Sequence, residues 1–572
     1  MSYQRCLSKE EQDFYETKNA AAEFYRLNRI PQEIERALNE LFFHNPGDVH
    51  GYLANYFTNI SAPPRISRLK GREVYDARGE LSIEAEVFCI VCNKEKSMAS
   101  AGLPGHCGPK KTSMDGKAKS QERADHVMTA VQWISAPLNN KLKGQNPCDQ
   151  SDIDHILSNF FMERYVEERN ICNMVKEESC PPSEPEVVLP SPIPTQNKDK
   201  KSVDKGKKSS AEKPLPPAEP PEPVLPGSWA IGSVSLAVAK TGAQLQGIPF
   251  YKHIAALKNR ETPAQFHIPV PLVTLLSCGK TSPGKLNLFE EVILIPRAGQ
   301  RVKQIIPMTL ELQKEMMRIT NTSTKTGATP TIHCDSGALA VSSERPEQPL
   351  DLITEACANL GLALGTDVHL ALNCGAPELV DYSKGKYEVA TGVLKSPDEL
   401  VDMYRILISK YPAVRAIIDP FRREDAEQWE KLSSAIGDSC SLLADSTYKS
   451  KALPLVGVRG HILKHIHETT VSDLVSITSE HQGSVLMGTT CSESCSDDSL
   501  SDIAVGLGLD YVKLGGLSGA ERMAKYNRLI SIEEELDQQG NLVSKEKHSP
   551  PLFAEELQEQ STATERALSD TA

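Results

Sequence analysis

Apolar positions along this chain change period from segment to segment, and each change marks an element. Ile30, Ile34, Leu38, Leu41 and Phe42 recur at helical spacing, Asn45-Pro46-Gly47 interrupts, and Val49, Leu53, Tyr56, Phe57 and Ile60 resume it. This predicts two short amphipathic helices within a segment 1–62. Helices so short do not bury their apolar faces alone, so a second copy completes them or their own chain does. From Ile66 the period drops to two, with a turn at Arg78-Gly79 and an alternating strand through Leu81, Ile83, Ala85 and Val87. Helical spacing returns in Val127, Val131 and Ile134, then Ile153, Ile156 and Phe160, and again in AIGSVSLAVAKTGAQLQGIPFYKHIAAL from Ala230. Residues 66–260 therefore read as an α+β domain. Proline, lysine, glutamate and serine displace core-forming residues at about 176–226, which predicts a disordered insert within that domain.

Between Ile268 and Gly515 a different rhythm holds. Short aliphatic runs end on an ionisable or amide residue and are followed by helical text: TPTIHCD, VHLALNC, RAIIDP, SLLAD, GHILK and DYVKLG end on, or just after, Asp335, Asn373, Asp419, Asp445, Lys464 and Lys513. Ser396-Pro-Asp-Glu399 is a capping box opening one of the helices. The alternation predicts an α/β architecture, a TIM-like (β/α) barrel over 266–538, in which the carboxyl ends of parallel strands meet at one mouth. Acids and two lysines gathered there would form one pocket. The tail, 539–572, is polar and reads as loosely ordered.

A chain of 572 residues has room for a barrel of roughly 250 residues and further folded units. The formal charge of −13 and the sequence pI near 5.7 argue against a nucleic-acid partner, which requires clustered Lys and Arg. No apolar run approaches the roughly 18 to 20 residues that cross a bilayer, and the first thirty residues are too charged for a secretory signal. These features predict a soluble, cytoplasmic protein. The 14 cysteines lack the dense spacing of a disulfide-stapled domain. Cys89 and Cys92 form a C-x-x-C, but on a strand they point to opposite faces. Likewise His461, His465 and His467 do not read as a metal cluster, and Gly506 to Gly516 lacks the strand that precedes a dinucleotide loop.

Several of these stretches carry a resemblance. GREVYDARGELSIEAEVF, AIGSVSLAVAKTGA, GIPFYKHIA, KLNLFEEVILIP, KYEVATG, DPF and ERMAKYNRLISIEEEL resemble the enolase family, the lyases that dehydrate 2-phosphoglycerate to phosphoenolpyruvate in glycolysis. The likeness spans about 66–538 apart from the insert, and the departures resemble the divergent, sperm-type enolases. It implies Mg²⁺ as cofactor, a homodimer, 2-phosphoglycerate as substrate, and a place in the sperm flagellum. IPQEIERALNELFFHNPGDVHGYLANYF is similar to the docking helices of the Dpy-30 and type II regulatory-subunit family, which implies an amphipathic-helix partner on a cytoskeletal or anchoring protein for residues 30–60.

The resemblance assigns roles residue by residue. Lys464 matches the family's proton acceptor and Lys513 its second lysine, which holds the substrate carboxylate. A lysine base paired with one or two Mg²⁺ ions is a property of enolase-superfamily sites in general, not one read from this chain. Asp335 falls where the family has a glutamate acid, one methylene longer, and Glu290 or Glu291 matches a second acid. Of the metal ligands, Asp445 is kept, another position carries Asn373, and the third falls on Ile418, with Asp419 beside it able to serve only if a bulge turned it inward. A family histidine falls on Thr281, and the His-Arg-Ser that binds phosphate falls on Thr489, Thr490 and Cys491. Loss of that arginine removes a contact worth on the order of 1.5 to 3 kcal/mol unless Arg459, Lys280 or another cation substitutes. A turn or cap role for Asp445 and Asp335 remains open at this level, as does an inactive barrel serving as a scaffold.

Overall fold

The computed structural model describes residues 9–104, 116–178, 224–323, 333–445, 455–481, 483–490 and 497–553. Nearly all of the proline-rich insert, most of the loop GLPGHCGPKK, and Cys491 lie outside the described residues. Two compact units emerge: residues up to 65 together with 89–96, and the remainder.

In the first unit the helices expected from periodicity form as Ile30–His44 and Val49–Asn59. Pro31 sits in the opening turn of one, and Asn45 ends it in left-handed backbone with its N–H returned to Leu41 O. Asp48 caps the next, accepting from Gly51 N at 2.9 Å. A further helix, Lys9–Leu27, was not legible, because its aromatic residues come in adjacent pairs and trace no stripe. Ile34, Leu38 and Phe42 share one face and are 46, 53 and 83 % exposed, whereas Ala37 is buried. Cys89 is buried and Cys92 exposed, so they do not form a paired site.

Most of the residues of an antiparallel sheet of Arg65–Tyr75, Leu81–Val91 and Lys94–Ala101 belong to the second unit. Helices Gly116–Trp133, Gln150–Glu178, Trp229–Gln246 and Phe250–Asn259 follow. Trp229–Gln246 is buried along most of its length, as its near-continuous apolar text requires. It seats this domain on the barrel through Gly232, whose N–H donates to His467 O at 3.0 Å. A Cβ there would fall 2.2 Å from Leu103 Cδ1 and 2.7 Å from His467 O, so only glycine permits the approach. Val471 N donates to Ser235 Oγ at 2.9 Å and Ser472 N to Asp154 Oδ2 at 2.9 Å. These bonds fix the cap against the segment that follows Lys464.

Eight strands close the barrel: Val270–Ser277, Glu291–Pro296, Val368–Asn373, Val414–Ile418, Ser441–Ala444, Gly460–Leu463, Val485–Gly488 and Tyr511–Gly515. The last pairs in parallel with the first. The second strand runs antiparallel to both neighbours, unlike the all-parallel expectation. A strand that runs backwards presents its first residue at the mouth, and Glu291 pairs there with Asn373. Leu272, Ile293, Ala371, Ala416, Ile418, Leu443, Ile462 and Leu486 form the packed interior.

The carboxyl-terminal tail corrects the sequence reading. Residues 541–553 are not loosely ordered: Phe266 N donates to Asn541 O at 2.9 Å, Val543 N to Phe266 O at 2.7 Å, and Ser441 Oγ to Leu552 O at 2.9 Å. Leu552 joins the barrel core and Phe553 packs against it. Burial of those two side chains outweighs the polarity of the segment around them.

Candidate active site

Lys513 lies within the eighth strand, its Cα paired with Gly488 and Leu272, and Glu291 opens the antiparallel second strand. Their side chains meet at 2.7 Å from Nζ to Oε2, and Asn373 Nδ2 donates to the same oxygen at 2.9 Å. Both members of the ion pair are buried. Burial pushes the Glu291 carboxyl upward, but the Lys513 charge and the hydrogen bonds from Lys513 and Asn373 bring it net below the usual range.

Lys464 follows the sixth strand and Asp445 the fifth. Lys464 Nζ lies 2.7 Å from Asp445 Oδ1, an ion contact out of line for a hydrogen bond, so this buried oxygen accepts none among the described residues. Asp419 follows the fourth strand with φ of 47°. That left-handed backbone, rare for a non-glycine residue, re-aims the chain where strand alternation would carry the side chain elsewhere. The Asp419 Oδ1 atom accepts the Asp445 N–H at 2.9 Å. Burial and then the neighbouring Asp445 charge raise the Asp419 carboxyl well above its ordinary range, while Lys464 and Lys513 pull it back in part. Both lysines therefore act on one carboxylate, and the two ion pairs share one mouth.

Other expected residues are placed less centrally. Ile418, at the family's third metal position, is in the core. Asp335 is 64 % exposed in its side chain and paired with Arg78 at 3.3 Å. Its segment is tied to the loop after Lys513, since Gly516 N donates to Ser336 O at 2.8 Å and Arg522 donates to Asp335 O. Of the alternatives Glu290 and Glu291, Glu291 pairs with Lys513, and Glu290 lies against Gly375. Thr489 N donates to Lys513 O at 3.0 Å, and Thr490 Oγ1 is buried without a hydrogen bond among the described residues. Neither proposed substitute cation reaches this cleft. Arg459 precedes the sixth strand, at the opposite rim, and the exposed Lys280 donates to Glu378 O at 2.7 Å.

A cleft opens beside Lys464, lined also by Leu103, His465, Thr489, Thr490, Ser499 and Lys525. His465 is held neutral by burial, which lowers its pKa to about 4, and its Nε2 contacts Thr469 O at 3.0 Å. Lys525 was missed from sequence because it sits inside the helix Ala520–Gln538, where no strand-end signal marks it. A second cleft, lined by Ile268, Arg301, Asp510 and Lys545, lies at the end where the strands begin and shares none of these residues.

Among the described residues no three His, Cys, Asp or Glu side chains gather as a metal-ligand set. The oxygens on offer are the carboxylates of Asp445 and Asp419 and the amide oxygen of Asn373, whose nitrogen is given to Glu291. The repulsion between Asp445 and Asp419 is what a divalent cation would relieve. Mg²⁺ commonly uses one or two carboxylates and completes its shell with water and substrate oxygens, so this reduced set fits it.

A family profile described as "Enolase, C-terminal TIM barrel domain" matches residues 265–550. The chain is 48 % identical over 563 residues to a Danio rerio protein named "Enolase 4", covering 96 % of each. It is 45 % identical over 555 residues to "Enolase 4" of Xenopus laevis, covering 95 % of each. Against "Enolase 4" of Homo sapiens it is 42 % identical over 587 residues, covering 96 % of this chain and 93 % of that one.

Proposed function

The chain belongs to the enolase family, and from that premise we propose that it dehydrates 2-phosphoglycerate to phosphoenolpyruvate, with Lys464 as the base. The observation that carries this reading is the convergence of both lysines on one carboxylate cluster: Lys464 on Asp445, Lys513 on Glu291, and Asp419 under the influence of each.

The hydrogen on the carbon beside a carboxylate is very weakly acidic, so it leaves only where the growing negative charge is met as it forms. Lys464 accepts it as a proton at Nζ, which requires that the amine first give up the proton it carries in the ion pair with Asp445. Lys513, held by Glu291, whose carboxylate Asn373 in turn fixes, receives the substrate carboxylate and its developing charge. Glu291, kept ionised, orients Lys513 rather than donating a proton. Asp335, tied to the loop beyond Lys513, serves the departing hydroxyl from the rim. Mg²⁺ held by Asp445, Asp419 and Asn373 would neutralise the carboxylates and add positive potential opposite the enolate. Formation of phosphoenolpyruvate by the purified full-length protein tests the reading. Equal rates for wild type and Lys464→Ala would remove it.

A second reading concerns the amino-terminal unit and stands whatever the turnover. Ile34, Leu38 and Phe42 lie exposed at successive turns of one helix, an apolar stripe that asks for a helical partner, either a second copy of this unit or an amphipathic helix of an anchoring protein. Size measurement of the full chain with and without Leu38→Asp tests the self-association arm.

A further inference from the structure

His465 follows Lys464 in the chain, lines the same cleft and is only 5 % exposed. A carbonyl oxygen cannot donate, so the 3.0 Å contact between His465 Nε2 and Thr469 O puts the ring hydrogen on Nε2. Thr469 is itself held, its N–H donating to Ile466 O at 3.0 Å, and the ring is fixed with it. Burial lowers the His465 pKa to about 4, against smaller raising effects of the Thr469 bond, Asp497 and Asp473 and a lowering one of Lys240. The imidazole is therefore neutral near pH 7, and Nδ1 keeps a lone pair to which no described residue donates. A buried acceptor ordinarily finds a donor, and this one stands in the cleft that holds the base.

Resting on the function just given, we propose that His465 Nδ1 accepts a hydrogen bond from the 3-hydroxyl of 2-phosphoglycerate, the group that departs. At about pH 7.5 the substrate's carboxylate and phosphate act as acceptors, so the hydroxyl is the group able to donate to Nδ1. The bond turns the hydroxyl hydrogen towards His465 and leaves an oxygen lone pair open to the proton that Asp335 supplies. As the C–O bond breaks and that proton arrives, the oxygen departs as water, and its original hydrogen becomes a stronger donor to Nδ1. Phosphoenolpyruvate has no hydroxyl and cannot make this contact. His465 is thereby a specificity residue that distinguishes substrate from product and takes no proton itself.

Two ligands and two variants of the full-length protein test this. 2-Phospholactate keeps the carboxylate and the phosphate of 2-phosphoglycerate and lacks the hydroxyl. His465→Gln keeps an N–H for Thr469 O and loses the acceptor at Nδ1, whereas His465→Asn sets an amide oxygen near the place of Nδ1 and loses the Thr469 bond. His465→Gln is expected to lower kcat/KM for 2-phosphoglycerate roughly 3- to 10-fold, the loss of one neutral hydrogen bond, and to leave inhibition by 2-phospholactate unchanged. His465→Asn should retain most of kcat/KM. A purely structural histidine gives the reverse order, with glutamine harmless and asparagine harmful, and that order overturns the assignment. Equal weakening of both ligands in His465→Gln overturns it as well. The ratio of the two ligands is read on one protein, so it still decides if a variant melts early, because general loosening weakens both alike. If wild type shows no turnover, the dehydration reading falls, and the same ratio is read by thermal shift: a preference for 2-phosphoglycerate that His465→Gln abolishes supports the His465 contact, and a preference it retains overturns it.

Discussion

The carboxylate of Asp419 accepts the backbone N–H of Asp445 at 2.9 Å, although strand alternation places its neighbour Ile418, and not Asp419, in line with the barrel interior. The positive φ of Asp419 reconciles the two and leaves a carboxyl with a raised pKa beside another acid. Because the folded state keeps this proton to higher pH than the unfolded chain does, its stability contribution is present in acid and lost as pH rises through the folded pKa. Asp419→Asn should therefore raise the melting temperature near pH 7.5 without Mg²⁺. It should also abolish the Mg²⁺-dependent gain expected of wild type. An equal Mg²⁺ gain in the variant would show that Asp419 is not a ligand.

Lys513 and Glu291 make the opposite case. The Glu291 carboxyl is depressed in the folded state, so its contribution is present above its unfolded pKa and lost as pH falls. Lys513→Ala strands a buried carboxylate and should cost about 3–5 kcal/mol of stability. The double variant Lys513→Ala with Glu291→Gln should recover part of that loss, since no charge is then left alone. Denaturant midpoints of the three proteins decide the matter, and additive losses would argue that the pair is not coupled.

Asn373→Asp would return a charged oxygen to the mouth. Half-maximal activity should then need several-fold less Mg²⁺, because a hard cation prefers a charged ligand to an amide. Stability without the metal should fall, since the new carboxylate would face Glu291 where the Asn373 amide now donates to it. A Mg²⁺ titration of activity beside a melting curve reads both. A need for Mg²⁺ unchanged from wild type would exclude residue 373 from the metal shell.

At the far end of the barrel His548 stacks on Phe553 and Tyr511, and His369 meets the rings of Phe553 and His548 edge-on. Burial, with added contributions from neighbouring positive charge, lowers both histidines to about 4. The unfolded chain binds these protons first, so stability is lost as pH falls from about 6.5 towards 4. His369→Gln should flatten that acid limb in a plot of melting temperature against pH. Retention of the full slope would place the acid sensitivity elsewhere.

Much of this was legible without coordinates, and for a physical reason. Runs such as SLLAD and GHILK place Asp445 and Lys464 at strand ends by local periodicity alone, and the Ser396 capping box forms as its spacing requires, with both bonds made between Ser396 and Glu399. The same local rules gave the helices Ile30–His44 and Val49–Asn59.

What the sequence could not decide depends on elements far apart along the chain. Glu291 rather than Glu290 meets Lys513 because one strand reverses direction, and direction is set by pairing with Ser277 and Asn373. Asp419 turns to Asp445 through a single left-handed residue that no periodicity encodes. The polar composition of the tail predicts loose order, yet Leu552 finds a place in the core. Lys525 enters the cleft only because the last helix folds back beside the seventh strand's end. Residue type and spacing thus fixed which groups are available and on which elements they ride, through short-range periodicity. Which of them touch was left to tertiary closure, since a contact between distant side chains is written in packing and register.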